Sequence, residues 1–201
     1  MAWPLPGDKL FRGDSDPSHN AVIRYFHADR WDLYATAYKD AADALIDRVV
    51  ETRQRMDSFV YPVAFLYRHY LELRLKELII NARLVLTLEP LPSQKRDVHW
   101  LRKLWTECRS LLLMVWPAGP KQVLDAAEAC ILEFDQLDAN SECFRYPEHK
   151  KDSAPTLAGL QEVSLRNLKE VMGRLATLLE SASCGIAAYK DEMRTCPKDC
   201  Q

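Results

Sequence analysis

Apolar side chains recur three and four positions apart along most of the chain, which predicts helices rather than strands. The first helix runs from about Asp29 to about Met56, with Trp31, Tyr34, Tyr38, Ala41, Leu45 and Val49 on one stripe and Asp29 as its N-cap. The second runs from about Ser58 to about Leu86. Ser58 is placed to cap it, and Pro62 falls in the opening turn, where its missing N–H does no harm. Two apolar rows mark this helix: Val63, Leu66, Tyr70, Leu73 and Ile80, and Ala64, Tyr67, Leu71, Leu75 and Leu78. So wide an apolar arc predicts the central helix, with only a narrow polar stripe of Arg68, His69, Glu72, Lys76 and Arg83.

The pattern resumes from about Asp97 to Val115, with Leu101, Leu104, Trp105, Leu111 and Leu112 inward, and stops at Trp116-Pro-Ala-Gly-Pro120. A fourth helix follows from about Lys121 to Leu137, with Val123, Leu124, Ala127, Ile131, Phe134 and Leu137 inward. Residues 138–156 are polar and aperiodic, the longest loop inside the domain, and loops of that length often carry function. The last helix spans about Leu157 to Met193 on Leu160, Val163, Leu168, Val171, Leu175 and Leu178, with Gly173 and the stretch 181–185 as points of bending or termination. The expected architecture is all-α, a mostly antiparallel bundle of about five helices. Residues 1–28 read as an irregular lead-in wrapping over the bundle, residues 29–193 as the bundle domain, and residues 194–201 as a polar tail. Within the lead-in, residues 21–26 read as a short strand or extended segment.

The composition narrows the function classes. The 201 residues are 48% hydrophobic and 28% charged, which fits a folded domain rather than a disordered chain. The net charge of −2 argues against a broad electrostatic grip on nucleic acid, though not against a local basic patch. The first residues have neither the basic nor the apolar region of a signal peptide. The longest apolar run, Leu111 to Trp116, is far short of the roughly 20 residues of a membrane span. The expectation is a cytoplasmic protein with no membrane partner. The six cysteines show no metal-type clustering, and Cys196 and Cys200 would need two more ligands to hold zinc, so neither metal nor cofactor is expected.

Three clusters could carry chemistry. Arg68 and Glu72 are four apart and share a helix face with Lys76, beside His69. They read either as an ion-pair ladder or as the lining of a pocket in which Glu72 or another helix holds His69. His99, with Trp100 and Trp105, opens the third helix, as a packing residue or a hydrogen-bonding partner. The loop after the fourth helix brings Asp135 and Asp138 together with Phe144-Arg-Tyr-Pro-Glu-His-Lys-Lys151. Arg145 there can hold a phosphate in bidentate fashion, and His149 can move protons near neutral pH, a set suited to metal-free RNA cleavage. The competing reading has Arg145 capping carbonyls or pairing with Asp138 and His149 idle. Gly-rich phosphate loops, His-Glu-x-x-His, Gly-x-Ser-x-Gly and Cys-x-x-Cys are absent from the sequence.

Tyr61-Pro-Val-Ala-Phe-Leu-Tyr-Arg-His-Tyr-Leu-Glu-Leu-Arg-Leu-Lys76, His99-Trp-Leu-Arg-Lys-Leu-Trp105 and Asp138-Ala-Asn-Ser-Glu-Cys-Phe-Arg-Tyr-Pro147 resemble, in that order, segments of bacterial HEPN-type helical proteins. With the first helix, the likeness spans most of residues 29–180. It implies a homodimeric helical bundle, cytoplasmic and bacterial, that acts on or binds RNA within a toxin or antiphage defence system. Active HEPN ribonucleases place an Arg and a following His in the dimer cleft and need no metal. Carried onto this chain, the catalytic pair is Arg145 and His149, with Arg68, His69, Glu72, His99, Asp138 and Tyr146 as binding residues. Non-catalytic HEPN bundles imply the alternative, a helical interaction protein that docks a partner protein of the same system.

Overall fold

A computed structural model describes residues 3–23, 30–90 and 98–195 of the protein. Among them lie five α-helices: α1 (Arg30–Thr52), α2 (Met56–Val85), α3 (Leu101–Val115), α4 (Lys121–Leu137) and α5 (Leu165–Thr195). The described residues form no strand, and one isolated bridge joins Glu148 to Pro155. The expected all-α class is therefore observed. The proposed cap Asp29, the start of the third helix at Asp97, and Cys196 and Cys200 lie outside the described residues.

Helix α2 packs against α1, α3 and α5, so it is central, as its double apolar row predicts. Val63, Ala64, Tyr67, Tyr70, Leu71, Leu75, Leu78 and Ile79 are all buried. The residues preceding α2 depart from expectation. Ser58 does not cap the helix: its hydroxyl donates to the Arg55 carbonyl, and Arg55 itself is the N-cap with φ 58°. The whole α1–α2 turn is tight, with Arg53 also at positive φ. Pro62 consequently sits inside the helix, on its exposed side, rather than in the first turn.

The stripe expected on α1 is rotated. Its buried residues are Ala35, Ala42, Ile46 and Val49, while Tyr34 is more than half exposed and Ala41 is exposed. Two alanines at the contact let α1 lie close against α2, and the larger Tyr38 and Leu45 flank the seam. Helix α4 begins and ends where predicted, but Val123 faces outward. Helix α5 starts eight residues later than predicted, because the Ser164 hydroxyl accepts from the Asn167 N–H at 3.3 Å and caps it there. It then continues through Gly173 and residues 181–185 without a break. Residues 3–23 do not wrap over the bundle, since every one of them is exposed; their short 3-10 turn (Pro17–His19) is capped locally by Asp16. Residues 21–23 belong to no strand.

Two glycines of α5 differ in their surroundings. A Cβ at Gly185 would stand 2.8 Å from the Trp116 ring, whereas one at Gly173 would meet nothing within 4 Å. Gly173→Ala should therefore raise stability by about 1 kcal/mol through helix propensity. Gly185→Ala should forfeit that gain and lower the urea midpoint, because overpacking costs about 1–3 kcal/mol. Urea unfolding of the two variants beside wild type checks both signs.

Candidate functional site

Three residues of the polar stripe on α2, Arg68, Glu72 and Lys76, form the expected ion-pair ladder, and it is buried. Arg68 is fully buried, and its fork is spent mostly on backbone carbonyls. Nε donates to the Asp138 carbonyl at 2.9 Å, and Nη2 donates to the carbonyls of His99 at 2.8 Å and Ala139 at 3.3 Å. Nη1 donates to Glu72 Oε2 at 3.4 Å. A planar guanidinium suits this position because it serves several acceptors at fixed angles. It places positive charge just past the C-terminus of α4, where the helix dipole favours it.

Glu72 is buried beside it. Its Oε1 accepts from Lys76 Nζ at 2.8 Å and lies 2.7 Å from His99 Nδ1. Burial pushes its carboxyl pKa up, but the Lys76 ammonium and the His99 ring more than offset this and hold it below the ordinary 4.5. Asp138, fully buried, uses Oδ1 to accept from the N–H groups of Glu142 at 2.6 Å and Cys143 at 2.9 Å. That turn, with Ser141 at φ 59°, aims the following residues outward. Asp138 Oδ2 sits 3.7 Å from Arg68 Nε. Burial and the adjacent Asp138 carboxylate push the Cys143 thiol up to about 11.

His69 is not held by Glu72. It lies between two rings, edge-on to Tyr38 with centroids 4.4 Å apart and stacked on Phe65 at 5.9 Å with planes 10° apart. Burial lowers its pKa, so it packs as a neutral ring. The row continues outward. The Arg145 guanidinium carbon stands 5.7 Å from the Phe65 centroid and 5.4 Å from that of Tyr146, and Lys150 Nζ lies 5.6 Å from the Tyr146 ring. Tyr38, His69, Phe65, Arg145, Tyr146 and Lys150 thus form one continuous aromatic–cation row, exposed at its outer end.

Arg145 is exposed and does not pair with Asp135 or Asp138. Its Nε donates to the Ser141 carbonyl, and its two terminal nitrogens have no hydrogen-bond partner among the described residues. Asp135 is committed elsewhere, accepting from the Arg102 N–H and Nε, each at 3.1 Å, at the start of α3. His149 lies in the small hairpin, where its N–H donates to the Ala154 carbonyl at 2.9 Å. No hydrogen bond, ion pair or ring contact joins it to Arg145 among the described residues. Arg145 and Tyr146 also line a groove of about 980 Å³ bounded by Met56, Tyr61, Leu157 and Leu165, and His149 is not part of its wall.

The structure thus gathers Arg68, Glu72, His99 and Asp138 into one cluster and places Tyr146 with Arg145. Sequence reasoning missed Phe65, although its spacing of four from His69 marks a shared helix face. It also missed Trp100 as a cation–π partner, with Lys103 Nζ 3.8 Å above its ring. No metal-type group of three or more His, Cys, Asp or Glu occurs among the described residues, and none of the helices searched is long and apolar enough to cross a membrane. In comparisons with known proteins, no family model, curated protein or solved structure matches the chain.

The low Glu72 pKa couples the network to pH. The folded carboxyl binds a proton less readily than the unfolded one, so its stabilisation is complete well above 4.5 and is lost as pH falls through the lower folded value. Urea unfolding at pH 7 and near pH 3 should show wild type losing more stability over that interval than Glu72→Gln, which starts lower at pH 7. Parallel losses in the two proteins would contradict the coupling.

Proposed function

We propose that the protein is a HEPN-like helical protein that binds single-stranded RNA along the Tyr38–His69–Phe65–Arg145–Tyr146–Lys150 row. The exposed guanidinium of Arg145 between two rings, with its terminal nitrogens unengaged, is the observation that carries this reading. Splayed bases stack on aromatic and guanidinium planes, while a forked cation grips the phosphate between them. A narrow patch of this kind needs no strongly basic protein, which accommodates the net charge of −2. The HEPN resemblance adds the setting: two copies acting together, in the cytoplasm, as part of a bacterial toxin or antiphage system, with metal-independent RNA cleavage as the activity.

The alternative is a non-catalytic helical protein that docks a partner protein. It draws support from the apolar slot of about 230 Å³ that opens beside the groove, lined by Val60, Ala64, Phe134, Leu168, Val171 and Met172.

Fluorescence anisotropy with a labelled single-stranded RNA separates the two readings. Arg145→Ala should weaken binding by about 5- to 150-fold, the loss of roughly 1–3 kcal/mol of stacking and phosphate contact. Its urea midpoint should match wild type, since the side chain is exposed. Equal RNA affinity in the two proteins would remove the row as the binding surface.

A further inference from the structure

Glu72 and His99 form a pair that the ring row does not use. Glu72 is buried on α2, and His99 lies just before α3 with 59% of its side chain exposed. A carboxylate 2.7 Å from Nδ1 orients the imidazole: it accepts the Nδ1 hydrogen and leaves Nε2 as the ring nitrogen outside the pair. Nε2 has no hydrogen-bond partner among the described residues, and 59% of the side chain is exposed. The carboxylate is itself pinned by Lys76 and Arg68, so the ring has a fixed support rather than a mobile one. His149 has no comparable carboxylate among the described residues.

The placement ties this imidazole to the ring row. One Arg68 nitrogen holds the carbonyls of both His99 and Ala139. Two residues further along the same turn, Ser141 offers its carbonyl to Arg145 Nε. The stretch 139–141 spans at most about 7 Å of chain, so His99 and Arg145 flank the same short turn. Trp100 and Lys103 add a second ring-and-cation pair immediately beside His99.

We infer that His99 is the proton-transfer residue for cleavage of an RNA strand held at Arg145, and that Glu72 positions its ring. This inference rests on the RNA-binding reading above. In the step, His99 Nε2 takes the 2′-hydroxyl proton as the 2′-oxygen bonds to phosphorus. The bond from phosphorus to the 5′-oxygen breaks, that oxygen takes a proton from water, and the imidazolium returns its own proton to the hydroxide. The products are a 2′,3′-cyclic phosphate and a 5′-hydroxyl, with no oxidant or co-reactant needed. Arg145 stabilises the negative charge that grows on the phosphoryl oxygens.

The test uses the full chain and a fluorescein-labelled single-stranded RNA in EDTA, followed by anisotropy for binding and by gel for cleavage. Wild type should bind and produce fragments ending in a cyclic phosphate. His99→Ala should bind with unchanged affinity and cleave about 100- to 10,000-fold more slowly, the usual contribution of a positioned acid–base group. Added imidazole should restore part of its rate, which a purely structural role would not allow. Glu72→Gln should lower the rate at saturating RNA and leave the half-saturating concentration unchanged, and His149→Ala should lose far less rate than His99→Ala. Binding without fragments in wild type would overturn the proton-transfer role and the cleavage activity while leaving RNA binding along the ring row standing, whereas no binding would overturn both. Full cleavage by His99→Ala, or a loss confined to His149→Ala, would overturn the assignment to His99.

Discussion

A guanidinium sealed away from water has to find an acceptor for its donors, and at Arg68 the protein supplies most of them from the backbone. The carbonyls of His99, Asp138 and Ala139 belong to the approach to α3 and the exit from α4, about 30 and 70 residues along the chain from Arg68. Removing one partner of a buried charge typically costs about 3–5 kcal/mol, so neither segment can drift while Arg68 stays inside. The Asp138 turn, the outward aim of Arg145 and the seat of His99 all follow from this one side chain. The bundle needs Arg68 to close, and the candidate site needs it for alignment.

A second buried guanidinium does comparable work on another side of α2. Arg74 Nη1 meets Asp32 of α1 at 2.7 Å and Glu77 at 3.3 Å, and Glu77 in turn accepts from Ser183 of α5 at 3.0 Å. One helix therefore carries two polar anchors, one fastening α1 and α5 and the other fastening the α3–α4 side. Such anchors add little net stability over apolar packing, but each accepts only one arrangement of its neighbours. That selects a single register for helices whose apolar faces alone would tolerate sliding.

Periodicity exposed the helices because burial of one face is a local property. Helix α4 was legible to its ends, since Pro120 bars helix before it and its apolar spacing stops at Leu137. The face of α1 was misjudged because large aromatics outweigh alanine in a hydrophobic pattern, while the actual seam needs Ala35 and Ala42 for close approach. The start of α5 depended on one hydroxyl, at Ser164, against a continuing apolar rhythm at Leu160 and Val163. The candidate residues were found by chemical type, but their grouping was not. Arg68, His99 and Asp138 meet only in three dimensions, and Arg74 and Glu77 were overlooked because charges inside an apolar arc look like interruptions. His69 proved a packing ring, and of the two readings open for His99, packing or hydrogen bonding, the Glu72 carboxylate selects the second.

The Asp138 turn has one more effect, on the thiol it encloses. With its pKa raised to about 11, Cys143 stays almost wholly protonated at neutral pH, and it is the thiolate that attacks peroxides and alkylating reagents. Cys108, sealed in the core, is shielded as well, whereas Cys184 stands exposed on α5. Among the described cysteines, electrophiles and oxidants therefore reach Cys184 first, on α5 rather than in the loop that carries Arg145, and the turn that shapes the candidate site is spared the damage its own sulfur would otherwise invite.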